Sequence, residues 1–68
     1  MSEEIKKWLG ETGYNLVPPV GYVFHYKDED YIAGYIFRER EVGRGDLEAL
    51  KYFHNEFIEK AKRREIYE

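Results

Sequence analysis

The side chains able to do chemistry are few and scattered. His25 and His54 are the only histidines, and cysteine is absent. The segment His54-Asn55-Glu56 has no second His or Cys at ligand spacing, so no zinc site is expected. The single serine, Ser2, stands at the N-terminus, where it supports no Ser-His-Asp set. Gly43 and Gly45 flank one arginine and fit no phosphate-binding pattern. Arg44-Gly45-Asp46 spells an integrin-type tripeptide, but a loop glycine followed by a helix N-cap accounts for it. An active site needs several convergent groups. The expectation is therefore a non-enzymatic protein without metal or cofactor, in which His25 is a half-buried sheet residue and His54 flanks a helix.

Composition narrows the remaining classes. The 68 residues are expected to form one domain, 1–68, with a small core. The net charge of −3, with 37% charged residues, gives no overall pull toward nucleic acid or anionic membrane. No apolar run is long enough to span a bilayer, and the N-terminus lacks a signal-peptide core, so a cytoplasmic protein is expected. Glutamine is absent, and eleven glutamates stand beside eleven lysines and arginines. That balance points to a thermophilic source.

The elements that must position any site are organised around Gly21 to Glu39, which reads as one β-hairpin. With Asp28-Glu29 as the turn, Tyr26 pairs with Tyr31, Phe24 with Ala33, Tyr22 with Tyr35 and Val20 with Phe37. Alternation puts these eight residues on one aromatic face. Val23, His25, Ile32, Gly34 and Ile36 form the other. Both faces are too apolar to be left wet, so one is expected to pack on a helix and the other to meet something else.

Before the hairpin, Ser2 to Gly10 reads as a short helix or a single turn. Ser2 is the N-cap, Glu3 and Glu4 sit at the positive dipole end, and Gly10 can end it. Ile5, Trp8 and Leu9 share one face. Tyr14 to Val17 is a candidate extended stretch, and Pro18-Pro19 makes any strand there an edge. After the hairpin, Arg40 to Gly45 is a connection and Asp46 an N-cap. Leu47 to about Ile66 is the long helix, with Leu47, Leu50, Phe53, Phe57 and Ala61 as its stripe and Ile58 beside it. The fold class is α+β: a short N-terminal helix, and an antiparallel hairpin of two or three strands packed against one long C-terminal helix.

One motif suggests a partner. Ser2-Glu3-Glu4-Ile5-Lys6-Lys7-Trp8-Leu9 resembles the PCNA-interacting peptide (PIP) box, which docks on DNA sliding clamps. A tight helical turn throws the aliphatic residue and the final pair to one side as a three-pronged plug, with Trp as a typical anchor. Ile5, Trp8 and Leu9 occupy the plug positions, and Ser2 stands where the family has glutamine. Asp46 to Phe53 is a second, poorer match, with Ala49 as its aliphatic prong. Taken with its small size and acidity, the chain resembles the small archaeal PCNA inhibitors. The resemblance implies that it occupies the client site of the clamp and blocks clamp-dependent replication. The alternative is that Ile5, Trp8 and Leu9 cap the protein's own core.

Two other readings stand beside it. The tyrosine face of the hairpin (Tyr22, Tyr26, Tyr31 and Tyr35) is a secondary partner surface, on which the chain would form a homodimer or meet another protein. Such a face can also stack single-stranded bases. However, Lys27 and Arg38 are opposed by Asp28, Glu29, Asp30 and Glu39, which argues against nucleic acid. Lys60 to Arg64 complements the dipole of the last helix. The order of elements resembles a double-stranded-RNA-binding domain, but Gly45-Asp46-Leu47-Glu48 stands where that family is lysine-rich.

Overall fold

The computed structural model describes residues 3–66. In chain order the elements are α1 (Glu3–Thr12), β1 (Asn15–Val17), β2 (Gly21–Lys27), β3 (Ile32–Phe37), α2 (Glu39–Arg44) and α3 (Leu47–Lys62). The strands form one antiparallel sheet in the order β1-β2-β3. The fold is mixed α+β, as the sequence leads one to expect.

Helix α1 runs past Gly10, an exposed position that costs little beyond propensity. It stops at Gly13, where φ is +114°. The N–H groups of Gly13 and Tyr14 both donate to the Leu9 carbonyl, at 3.2 and 2.9 Å. That left-handed helix end favours glycine. The expected N-cap Ser2 lies outside the described residues. Strand β1 is an edge, as the following prolines require. Gly21 opens β2 at φ +129°, and a β-carbon there would come within 2.5 Å of the Phe37 carbonyl oxygen. Only glycine lets β2 start so close to the end of β3.

The hairpin register differs from the expectation by two residues. Tyr22 pairs with Phe37, Phe24 with Tyr35 and Tyr26 with Ala33. The turn is centred on Glu29-Asp30, not Asp28-Glu29. The Asp28 N–H donates to the Tyr31 carbonyl at 2.8 Å, and its carboxylate accepts the Glu29 N–H at 2.8 Å. An aspartate holding its neighbour's amide in this way starts the turn one position later than composition alone suggests. Moving a turn by one residue moves the pairing by two. Strand residues therefore keep their faces, although Val20 now falls outside the ladder.

The aromatic face is the covered one. Ile5, Leu9, Tyr14, Phe37, Val42 and Leu50 form one buried cluster, and Ala33, Phe57 and Ala61 form a second. Phe24 and Tyr35 pack against both and join them. Helix α2 was expected to be a connection. Glu41 accepts the Arg38 N–H at 2.8 Å, and Val42 is almost wholly buried. Asp46 caps α3 as expected, accepting the Ala49 N–H at 2.9 Å. Helix α3 ends at Lys62, short of Ile66.

The inward stripe of α3 is Leu47, Leu50, His54, Phe57 and Ala61, and it carries one correction. Phe53, expected in the core, is 50% exposed, and His54 takes the inward position. A 3-4-3-4 spacing holds a straighter line on a helix than the one drawn through Phe53.

Candidate functional site

Two of the three expected plug residues serve the protein's own core. Ile5 is 6% exposed and Leu9 1%. Trp8 is half-buried, 5.9 Å from the Tyr14 ring and edge-on to His54 at 5.7 Å. Ser2 lies outside the described residues. A plug made of Ile5, Trp8 and Leu9 would require α1 to leave the sheet. In the second match, Ala49 is half-buried while Tyr52 and Phe53 are 60% and 50% exposed, and the three share one face of α3.

The four tyrosines share a face, as expected from their spacing, but it is the face the helices cover. Tyr35 lies 5.0 Å from the Phe57 ring and Tyr22 packs against the first core cluster. Tyr26 and Tyr31 pack against the second. The Tyr31 hydroxyl donates to the Ile66 carbonyl at 2.8 Å, and the Arg64 guanidinium sits over its ring. These side chains hold the sheet, the last helix and the C-terminal segment together. All four are half-buried by these contacts, and Tyr35 still lines the surface beside β3.

The histidines sit on opposite sides of the sheet. His25 is exposed on the outer face. His54 lies inside, where its Nδ1 is 2.8 Å from the Tyr14 hydroxyl. Burial pushes the Tyr14 hydroxyl well above the usual phenol range, helped by the nearby Tyr35. Burial also holds the His54 imidazole below its ordinary value. Both groups are thus neutral near pH 7, and the direction of the bond between them follows the imidazole tautomer. The pair satisfies two polar groups in an aromatic cluster, and among the described residues no third group completes a relay. Among the described residues, no three His, Asp or Glu side chains converge as a metal site.

The second edge of the sheet is β3, with which no other strand pairs among the described residues. Asp28 and Tyr31 exchange hydrogen bonds across the turn, the return bond being 3.5 Å. Alternation along an antiparallel pair then gives Ala33, Tyr35 and Phe37 to β2. The N–H and C=O groups of Ile32, Gly34 and Ile36 point the other way, out of the sheet. All three of these residues are exposed. From Ile32 to Phe37 the strand carries no charge and no proline, the devices that usually blunt an edge. Beside it lie two adjoining shallow depressions that share Tyr35 and Phe53: one adds Phe37 with Arg40, Glu41 and Arg44 of α2, the other Gly34, Tyr52 and Ile66 with Glu56 and Lys60 of α3. Tyr52 is 60% exposed.

Three exposed backbone donor–acceptor sites beside depressions walled by both aromatic and charged side chains can hold an extended chain. Sequence reasoning overlooked this edge, although its signal was present: Pro18-Pro19 blunts one side of the sheet, and nothing blunts Ile32 to Phe37. No helix among the described residues is long and apolar enough to cross a membrane. The chain matches no family model, and comparison with curated proteins and with solved structures finds no match either.

Proposed function

We propose that this chain is a non-catalytic protein-interaction module that takes an extended segment of a partner as an added strand along β3. The observation that carries the reading is the uncharged, proline-free edge with the depressions beside it. Main-chain hydrogen bonds from Ile32, Gly34 and Ile36 would supply affinity. Tyr35, Tyr52 and Phe53 would select apolar side chains at alternate positions of the incoming strand. A cytoplasmic setting rests on the sequence reading alone.

The clamp-inhibitor reading uses α1 instead. It has less support from the geometry, because Ile5 and Leu9 would have to be withdrawn from the core before they could fill a clamp pocket. That exposure costs several kcal/mol before any contact is gained.

One experiment separates the two. Peptides selected from a random library, and an archaeal sliding clamp, are each titrated into the protein while amide hydrogen exchange is followed residue by residue. Strand addition predicts new protection at Ile32, Gly34 and Ile36, lost in Ile36→Lys. Clamp binding at α1 predicts exchange and fluorescence changes centred on Trp8, with β3 unchanged. That second outcome, or peptide binding that leaves the β3 amides unprotected, overturns the strand-addition reading.

A further inference from the structure

We infer that the strand added at β3 is β3 of a second copy of this chain, antiparallel to the first about a two-fold axis, with Gly34 of one copy opposite Gly34 of the other. The inference rests on the strand-addition reading above and names its occupant.

The backbone fixes the choices. The groups facing out of the sheet belong to even-numbered residues, so any self-pairing must set even opposite even to form close hydrogen-bonded pairs. A two-fold axis then passes through residue 33, 34 or 35. The axis at Gly34 alone sets Ile32 opposite Ile36 at both ends of the pairing, which uses every outward-facing residue of β3. It also sets Tyr35 opposite Ala33, a large ring beside a small residue.

Charge is compatible with the same register. The turn before β3 carries Asp28, Glu29 and Asp30, of which Asp28 and Asp30 already share Arg64 at 3.7 and 2.8 Å. The chain leaves β3 through Arg38 and Arg40, with Glu39 between them. Antiparallel pairing of a strand with itself must bring the start of one copy to the end of the other. With Gly34 on the axis, Asp30 of each copy lies opposite Arg38 of its mate. The Asp30 side chain is 78% exposed. Such rim pairs fix register more than they add affinity.

The surfaces on either side suit the joint. On the outer face, Ile32 and Ile36, 49% and 46% exposed, would gather with their counterparts around the axis. On the inner face, Phe53 and Tyr52 line the depression beside β3 and would turn toward the second helix. The product is a continuous six-stranded sheet with both α3 helices on one side, and neither copy keeps an open β3 edge.

Sedimentation equilibrium of the full chain tests this, with Arg38→Asp and Asp30→Arg as variants. Aspartate at position 38 is itself a good cap for α2, so the fold is retained, and circular dichroism checks it. The wild type should associate reversibly. Each variant alone sets like charges opposite one another twice and should associate on the order of tenfold more weakly. An equimolar mixture of the two variants restores both pairs and should recover association. A protein that stays monomeric throughout, or a mixture no tighter than either variant, overturns the second copy as occupant. If the monomeric protein still takes library peptides with protection at Gly34 and Ile36, strand addition stands and only the occupant is wrong. If a dimer forms without protection along β3, both readings fall.

Discussion

Tyr14 and His54 show how much one hydrogen bond can settle. They are 40 residues apart and meet inside an aromatic cluster with Trp8 and Phe24. Because burial lowers the His54 pKa below the ordinary 6.5, the unfolded chain binds a proton that the folded one resists. The contribution of neutral His54 is complete above pH 6.5 and is lost as pH falls from there toward the lower folded value. The urea midpoint should therefore decline across that window, and His54→Gln, which cannot titrate, should flatten the decline. An equal decline in the variant would place the titrating group elsewhere. None of this was legible beforehand. Phe53 and His54 are adjacent, and apolarity alone assigns Phe53 to the core. The deciding contact, a phenol positioned by Gly13 and the start of β1, is set by tertiary structure.

Among the elements, those defined by local pattern were legible and those defined by packing were not. Alternation gave the membership of the sheet faces, because a register error of two residues preserves parity. Asp46 announced α3 through a cap that needs only local geometry. Helix α2 was hidden because Val42 is the only residue it buries and Gly43 interrupts it. Helix α1 was legible as an element, though it runs two residues past its expected end, and its destination was left between two readings: the i, i+3, i+4 face of Ile5, Trp8 and Leu9 fits a partner's pocket and a sheet of its own equally well. The structure spends Ile5 and Leu9 on the core. Leu9→Ala should therefore cost about 2–5 kcal/mol of folding stability, measured by urea denaturation. A loss under about 0.5 kcal/mol would mean that α1 is only loosely docked and would return the plug to consideration.

At the scale of the whole molecule, size decides what association is worth. Among the described residues nine side chains form the buried core, and domains this small fold with little stability to spare. A partner that binds only the folded chain adds stability by mass action, and when the partner is a second copy, protein concentration is the ligand concentration. The melting temperature of the wild type should therefore rise as the protein is concentrated from micromolar toward millimolar. The rise should shrink at high salt, where the exposed Asp30–Arg38 pairs are screened within a few ångströms. Ile36→Lys puts a charge on the joint while changing a side chain already 46% exposed. Its melting temperature at high dilution should match the wild type's and should not climb with concentration. Concentration-independent melting of the wild type would leave the β3 edge open in solution and assign the missing strand to a different protein.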